Sequence, residues 1–149
     1  MVVKMLVKEA MTVKVISIFQ RKTVMEACNM YREYKVGSLL VTDNEGCVGI
    51  ITERDLIERS ICEHRDPFET KVGEIMSRNV KTIHPLDSIK KAVEKLIAFN
   101  IKKLPVVMGD EIVGIITVTD IARSHPKLAK KVIDSQAQQK WQDNKKKFN

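Results

Sequence analysis

The stretch Gly49-Ile50-Ile51-Thr52-Glu53-Arg54-Asp55 recurs 65 residues later as Gly114-Ile115-Ile116-Thr117-Val118-Thr119-Asp120. In both copies a glycine and an apolar pair lead into Thr-x-x-Asp. This pattern predicts a buried strand followed by a helix that the threonine caps. The N-terminus of a helix carries unpaired N–H groups and attracts anions, and the aspartate one turn later could accept hydrogen bonds from both hydroxyls of a diol. Each copy is therefore interpreted as half of a site for a phosphorylated sugar.

The same Thr-x-x-Asp pattern is also that of a capping box, which needs no ligand. The preferred acid in a capping box is Glu or Gln, and the Asp side chain is one methylene shorter than Glu for reaching back to the cap N–H. Between the copies, Glu53-Arg54 changes to Val118-Thr119 while Thr and Asp are retained. The residues alone leave both interpretations open.

The two copies belong to a longer internal repeat. Residues 7–56 align with residues 72–121 without a gap, and 14 of the 50 positions are identical. Val7-x-Glu9-x-Met11 corresponds to Val72-x-Glu74-x-Met76. A repeat this regular indicates one supersecondary unit built twice. Two copies are too few for a solenoid, so we expect a pair related by a pseudo-two-fold axis that buries one shared core.

Each unit is predicted to be β-α-β-β-α, in the α/β (α+β) class. In the first unit, strands are predicted over residues 15–18, 38–41 and 47–51, with a hairpin turn at Asp43-Asn44-Glu45-Gly46 and helices starting at Thr23 and Thr52. In the second unit, the strands are expected over residues 80–83, 104–107 and 112–116, with helices starting near Ser88 and at Thr117. The predicted domains are a first unit at 5–62, a polar linker at 63–71, a second unit at 72–124, and a C-terminal helix and basic tail at 125–149.

Charge is concentrated in the C-terminal region. Of the formal charge of +7, residues 123–149 contribute eight basic and two acidic side chains, or +6, and residues 1–122 contribute 18 basic and 17 acidic ones, or +1. The nearly neutral body argues against a nucleic-acid-binding face there. A helix is predicted over residues 127–141, and disorder over residues 143–149.

No apolar run approaches the length of a membrane span, and the apolar start of the chain is too short for a secretory signal. We therefore expect a cytoplasmic protein with no membrane partner. Cys28 and Cys47 lie in apolar patterns, where cysteine acts as a small hydrophobe, and Cys62 has no second pair of ligands at zinc spacing. Neither a metal site nor a disulfide framework is predicted.

On these features the chain resembles a CBS domain pair, also called a Bateman module, over roughly residues 5–124. The resemblance is carried by the gapless repeat, the Val-x-Glu-x-Met motif before each first strand, Thr82-Ile83-His84-Pro85-Leu86-Asp87, Leu104-Pro105-Val106-Val107, and both Gly-Ile-Ile-Thr-x-x-Asp stretches. Such pairs occur inside IMP dehydrogenases, whose regulatory subdomain is similar to this chain, and as free-standing proteins, which it resembles more.

The resemblance implies a regulatory, energy-sensing module that binds adenosine-containing ligands in clefts between the two CBS units. AMP, ADP, ATP, S-adenosylmethionine and NAD are the ligands implied, as regulators and not as cofactors. Asp55 and Asp120 would accept hydrogen bonds from ribose hydroxyls, and Thr52 and Thr117 would hold phosphate. The residues implied to edge the adenine or line the clefts are Ser17, Ile18, Thr82, Ile83, His84, Val36, Gly37, Lys102 and Lys103.

The two halves differ in charge at these positions. Lys102-Lys103 stands where the first unit has Gly37-Ser38, and Arg54 stands opposite Thr119. Solvated surface charge explains such residues without a ligand. A lysine that faced a cleft would favour a ligand with more than one phosphate charge. His84 is interpreted as a packed residue at the end of a strand, because no carboxylate or nucleophile is spaced with it.

An enzyme is not predicted. The sequence shows no Ser-His-Asp order, no Cys–His motif context, no P-loop and no paired active-site carboxylates. The alternative function is an adaptor whose basic tail, with lysines near Trp141, binds nucleic acid or an acidic protein. The alternative for that tail is a solubilising or purely structural C-terminal helix with no partner.

A homodimer and a regulated protein partner are also expected. The helices carry apolar residues beyond those that one core needs, such as Ile57, Ile61 and Ile121, and members of the resembled family commonly dimerise through such helices. Scattered apolar residues on a surface are normal, so the sequence by itself does not decide this point.

Overall fold

A computed structural model describes residues 4–147 and divides them into two compact units. The first-copy unit comprises residues 15–81 and 109–112. The second-copy unit comprises residues 4–14, 82–108 and 113–147. Helices and strands are mixed in both units, and the predicted α+β class is confirmed.

The first-copy unit follows the predicted order of elements. These are β1 (Ser17–Phe19), α2 (Val24–Tyr34), β2 (Ser38–Asp43), β3 (Gly46–Thr52), α3 (Glu53–Leu56) with a π-helical continuation (Ile57–Ile61), and α4 (Val72–Ile75). Strand β2 lies in the centre of the sheet, parallel to β1 and antiparallel to β3.

Local hydrogen bonds explain where these elements begin. At the start of α2, Thr23 Oγ1 accepts from Glu26 N at 3.1 Å, and Glu26 Oε2 accepts from Thr23 N at 2.7 Å, which is the predicted capping box. In the β2–β3 turn, Asp43 Oδ1 accepts from Glu45 N at 2.7 Å and from Gly46 N at 3.1 Å. Gly46 has a φ of +133°, which glycine adopts without strain.

The second-copy unit contains α1 (Val7–Ala10), α5 (Ile89–Ala98), β4 (Lys103–Met108), β5 (Glu111–Thr117), α6 (Val118–Ser124) and α7 (Pro126–Lys147). Strands β4 and β5 form a two-stranded sheet. Ser88 caps α5 by accepting from Lys91 N at 3.2 Å, as its sequence predicts.

The strand predicted over residues 80–83 is reduced to one parallel bridge between Ile83 and Val106. In the first copy, Leu40 N donates to Ile16 O at 3.3 Å and so extends the β1–β2 ladder. The corresponding residue in β4 is Pro105, which has no N–H to donate to the carbonyl of Lys81. The prediction of a full strand is wrong here because this one donor is missing.

The segments that precede the two first strands, residues 7–12 and 72–77, each join the unit built around the other repeat. We call them the pre-strand segments. Thr12 and Ile115 exchange two backbone hydrogen bonds of 2.8 and 2.9 Å, and Ser77 and Ile50 exchange two of 2.9 and 3.0 Å. The compact units and the sequence repeats therefore differ in where these segments belong.

The two glycines of the Gly-Ile-Ile stretches allow the pre-strand segments to approach. A Cβ on Gly49 would lie 2.9 Å from Ser77 O and against Met76 Sδ. A Cβ on Gly114 would lie 2.9 Å from Thr12 O and 2.7 Å from Met11 Sδ. The methionine of Val-x-Glu-x-Met thus packs on the glycine of the other repeat, which explains why the two motifs occur together.

Each unit has its own hydrophobic core. In the first-copy unit the core includes Ile18, Val24, Leu39, Val41, Ile51, Val72 and Ile75. In the second-copy unit it includes Val7, Ile83, Leu96, Leu104, Val106, Ile116, Ile121, Ala129 and Val132. Ile121 is fully buried, so the expectation that it is a surplus apolar residue is wrong.

The linker and the C-terminal helix are both more ordered than their composition predicts. In the linker, Pro67 O and Thr70 O accept from Met25 N and Val24 N, both at 2.9 Å, which satisfies N–H groups in the first turn of α2. Helix α7 continues to Lys147, so the prediction of disorder is wrong for residues 143–147, because the helix propagates from its packed first half. Phe148 and Asn149 lie outside the described residues.

Across residues 4–147, no helix is both long and apolar enough to span a bilayer.

Replacing either motif glycine with alanine should destabilise the protein. Gly49→Ala and Gly114→Ala should each lower the free energy of unfolding by about 1–3 kcal/mol, because the new methyl group overlaps a backbone carbonyl oxygen. Urea denaturation measures the change. Gly37→Ala is the matched control: a Cβ there meets no atom within 4 Å, so its effect should stay within about 0.5 kcal/mol. Equal stabilities for all three variants would contradict the close approach.

Candidate functional site

The first half-site is centred on Thr52, the last residue of β3 and the N-cap of α3. Thr52 Oγ1 accepts from Asp55 N at 3.2 Å. Asp55 Oδ2 in turn accepts from Thr52 N at 2.9 Å and from Thr52 Oγ1 at 3.0 Å. The expectation that aspartate is too short to close a capping box is therefore wrong: with Thr52 extended (φ −113°, ψ 165°), the carboxylate reaches the cap N–H.

The second half-site repeats this geometry at the end of β5. The same three contacts join Thr117 and Asp120, at 3.2, 2.9 and 3.0 Å. Asp55 and Asp120 are only 8% and 6% exposed. In both, Oδ2 is committed to the cap, and Oδ1 lies outside the capping box. The capping interpretation thus accounts for one oxygen of each carboxylate and leaves the other to be explained.

The start of the second strand of each unit meets the helix start beside it. Gly37 O accepts from Glu53 N at 3.3 Å, and Lys102 O accepts from Val118 N at 3.2 Å. Ser38 pairs with Thr52 across the β2–β3 ladder. The chain therefore brings Gly37 next to Thr52 and Asp55 in one unit, and Lys102 next to Thr117 and Asp120 in the other.

The remaining predicted residues of the first half-site differ in how far they are exposed to solvent. Ser17 is exposed at the start of β1, and Val36 is half-buried against the core. Ile18 is 4% exposed and belongs to the core, so only its backbone is available to a ligand. The Arg54 guanidinium is mostly exposed and forms an ion pair with Glu58 at 2.7 Å along its own helix.

In the second half-site, Ile83 is also a core residue at 3% exposure. Thr82 O accepts from Lys95 Nζ at 2.7 Å. His84 is exposed, and its Nδ1 accepts from Leu86 N at 3.1 Å within a turn, so its interpretation as a packed residue is wrong. The turn exposes the ring because Pro85, and not the histidine, is buried at this corner.

Lys102 and Lys103 place two ammonium groups at the start of β4, where the equivalent residues of the first repeat, Gly37 and Ser38, are uncharged. Lys102 is exposed and Lys103 is half-buried. Burial lowers the pKa of Lys103, and the adjacent charge of Lys102 lowers it further. An anion near this pair would offset both effects, because it would favour the charged form of the amine.

Three side chains that the sequence analysis did not identify contact the two carboxylates or their partners. Thr12 Oγ1 donates to Asp120 Oδ1 at 3.1 Å. Arg59 Nε lies 3.6 Å from Asp55 Oδ1, and its Nη1 donates to Ser77 Oγ at 3.2 Å. The available signal was the repeat itself, since Thr12 and Ser77 occupy equivalent positions and both carry a hydroxyl.

Tyr31 completes the surroundings of the first half-site. Its hydroxyl donates to Ile51 O at 2.6 Å, immediately before Thr52. Burial raises the pKa of Tyr31, and the negative charge of Asp55 adds to that effect. Its hydroxyl is therefore protonated at neutral pH and serves as a donor that fixes the end of β3.

The cysteines follow the prediction that they are small buried side chains where the pattern is apolar. Cys28 and Cys47 are half-buried, and burial raises the pKa of both thiols. Cys62 is exposed. Within residues 4–147, His, Cys, Asp and Glu side chains form no cluster of three or more that could hold a metal ion.

The family model described as the CBS domain matches this chain twice, at residues 7–61 and 72–126. The matched ranges include Asp55 and Asp120 and the whole of both pre-strand segments. The chain belongs to the CBS domain family.

Among curated proteins, the chain is 30% identical over 116 residues to the CBS domain-containing protein YhcV of Bacillus subtilis, covering 78% of this chain and 82% of that protein. It is 32% identical over 109 residues to the uncharacterized protein MK0525 of Methanopyrus kandleri, and this match covers 72% of this chain but only 56% of that longer protein.

Two solved structures are informative about ligands and assembly. The CBS domain pair of protein MJ0100, solved in complex with 5′-methylthioadenosine and S-adenosyl-L-methionine, has a TM-score of 0.69 and 30% identity, covering 80% of this chain and 94% of that one. The hexameric CBS-CP12 protein from bloom-forming cyanobacteria has a TM-score of 0.70 and 27% identity, covering 83% and 73%.

Proposed function

We propose that this chain is a non-catalytic regulatory module that senses adenosine-containing ligands through its two half-sites. The ligand classes are AMP, ADP and ATP, and also S-adenosylmethionine or NAD. In this proposal Asp55 and Asp120 accept hydrogen bonds from ribose hydroxyls, and Thr52 and Thr117 with the adjacent helix starts receive the phosphate or its neighbouring oxygens.

One observation carries the proposal: each nearly buried aspartate has one oxygen committed to its cap and a second oxygen outside the capping box. The capping box uses only Oδ2, so Oδ1 is the acceptor that a ligand hydroxyl can approach. The MJ0100 pair, complexed with two adenosyl compounds, supports this ligand class. Membership of the CBS domain family, whose members are generally regulatory, supports a role without catalysis.

The half-sites should differ in ligand preference because their charges differ. Lys102 and Lys103 accompany Asp120, whereas the corresponding residues near Asp55 are Gly37 and Ser38. An ammonium group binds phosphate as a point charge, and its contribution grows with the number of phosphate charges nearby. We therefore assign the longer polyphosphates to the second half-site.

Substituting the aspartates should weaken ligand binding. Asp55→Ala and Asp120→Ala should each cost about 1–3 kcal/mol of binding free energy at their own half-site, because each removes the buried, charged acceptor to which the diol hydroxyls donate. Isothermal titration calorimetry with AMP, ATP, S-adenosylmethionine, 5′-methylthioadenosine and NAD measures the loss.

Two checks separate lost binding from lost folding in this experiment. Thermal unfolding of each variant reports the cost of breaking the cap. Thr119→Ala is the matched control, since it lies on the same helix start but outside the Thr-Asp pair and should bind as the wild type does. A wild-type protein that takes up none of the five compounds would overturn the proposed function.

A homodimer is proposed through the segment that follows Asp55. Ile57 and Ile61 are 53% and 68% exposed and stand at the two ends of the π-helical continuation of α3. Phe68 in the linker is 65% exposed. Ile57 and Ile61 lie close enough in the chain to form one apolar patch, and contiguous exposed apolar surface marks sites of association.

The double variant Ile57→Glu/Ile61→Glu should shift the protein to monomer, because association would bury two unpaired charges. Sedimentation velocity across a concentration series measures the change. Ile133→Glu is the matched control: Ile133 is 54% exposed on α7, and its substitution should leave the assembly unchanged. A wild-type protein that sediments as a monomer at every concentration would refute the proposal.

The second candidate function, a basic adaptor, is favoured by the end of α7. Residues 137–147 are all exposed and carry four lysines and one aspartate, a net charge of +3. Trp141 is 62% exposed, with Lys145 Nζ 5.1 Å from its ring centre. Lysines beside an exposed indole can bind the backbone and bases of single-stranded nucleic acid.

Truncation after Gln136 tests the adaptor without disturbing the core. It keeps Ala129 and Val132 in the core, and it keeps the hydrogen bond of 2.7 Å from Gln136 Nε2 to Ile101 O. If the adaptor function holds, the full chain should bind single-stranded RNA more tightly than the truncated chain, with a salt dependence that weakens on truncation. Fluorescence anisotropy at several salt concentrations measures this. Equal affinities would eliminate the nucleic-acid role.

A further inference from the structure

The two pre-strand segments are linked to the aspartates at the same position of the repeat. Thr12 and Ser77 are equivalent residues, each at the end of its segment. Thr12 donates directly to Asp120 Oδ1, at 3.1 Å. Ser77 is linked to Asp55 through Arg59, whose guanidinium is 3.2 Å from the serine hydroxyl and 3.6 Å from Asp55 Oδ1.

Both links use the carboxylate oxygen that lies outside the capping box. Oδ2 of each aspartate is held by the backbone N–H and the hydroxyl of its own threonine. Oδ1 is therefore the oxygen that a diol would approach, and it is also the oxygen that Thr12 or Arg59 contacts. Ligand hydroxyls and the pre-strand segments thus act on one atom in each half-site.

We propose that Thr12 and Arg59 are positioning residues that couple ligand occupancy to the attachment of the pre-strand segments. The inference rests on the proposed function, because it takes the ligand at each aspartate to be a diol. A ribose hydroxyl that donates to Asp120 Oδ1 competes with the Thr12 hydroxyl for it. Binding therefore weakens the hold on residues 7–12, and at Asp55 it weakens the hold of Arg59 on residues 72–77.

A few contacts close to each aspartate attach the pre-strand segments. Next to the Thr12 side chain, the segment is fixed by the two Thr12–Ile115 backbone bonds and by Met11 packed on Gly114. The equivalent segment is fixed by the Ser77–Ile50 bonds, and Arg59 Nη1 also donates to Ile75 O at 2.9 Å. The chain continues from one segment into β1 and from the other into the Ile83 bridge, so a change in the attachment of a segment acts on the residues that follow it.

The two linkages differ in kind. At Asp120 the link is one neutral hydroxyl, and Arg123, 3.8 Å from Oδ1, is 77% exposed. At Asp55 the link is a guanidinium that donates to Ile75 O and Ser77 Oγ and forms an ion pair with Asp55 Oδ1. Coupling between two binding events is reciprocal. A change that weakens the attachment of a segment must therefore raise the affinity for the ligand, by the same factor by which the ligand weakens that attachment.

Thr12→Val tests the inference, since valine keeps the shape of threonine and removes the hydroxyl. With AMP and S-adenosylmethionine as probes, calorimetry should show about two- to tenfold tighter binding at the second half-site, the range expected for release of one competing hydrogen bond. Hydrogen–deuterium exchange should show that ligand raises exchange at residues 7–12 of the wild type and leaves Thr12→Val unchanged. Thr12→Ser, which restores the hydroxyl, should behave as the wild type.

The outcomes separate this inference from the proposed function. If the wild type binds either probe and Thr12→Val has the same affinity and the same exchange response, the coupling is wrong and the sensor function stands. If the wild type takes up neither these two probes nor the other three compounds of the calorimetric screen, both are overturned. Arg59→Gln should give the same result at residues 72–77, and Thr12→Ala replaces Thr12→Val if the valine variant does not fold.

Discussion

The contact between a methionine and a glycine of the other repeat is the constraint on which this structure depends. Gly49 and Gly114 have no side chain, so a backbone carbonyl and a thioether can lie where a Cβ would otherwise stand. This approach lets residues 72–77 and 7–12 pair with the edges of β3 and β5. The same strands then end in the threonines that begin α3 and α6. The strands that pair with the pre-strand segments therefore also position the two aspartates.

The capping box does not exclude the binding site that we propose. A carboxylate has two oxygens with room for several donors, and the cap uses only Oδ2. Near-burial of Asp55 and Asp120 makes each remaining contact valuable, because a charged acceptor withdrawn from water loses more if it is left without donors. A structural role thus holds each aspartate in one orientation, and that fixed orientation is what recognition of a ligand requires.

The sequence predicted what local chemistry determines. Thr23 with Glu26, and Ser88 at the start of α5, follow from capping rules, and the duplicated order of elements follows from the gapless repeat. It did not predict that residues 7–12 and 72–77 each pack in the unit built around the other repeat, because strand-edge pairing between distant segments leaves no periodic signal. Arg59 was missed for a related reason: the equivalent position in the other copy is Ser124, so comparison of the repeats gives it no weight. The Asp side chain was judged too short because its reach depends on the backbone angles of the preceding threonine, which the sequence does not give.

The missing N–H of Pro105 has a consequence for fluctuations. Residues 80–83 are tied to β4 through the single bridge at Ile83, whereas β1 pairs with β2 over three residues. Segments with fewer ladder bonds open at a lower free energy than the rest of the fold. Repeats that share a common plan therefore need not share a common rigidity, and in this chain one proline makes residues 80–83 more compliant than β1, their counterpart in the first repeat.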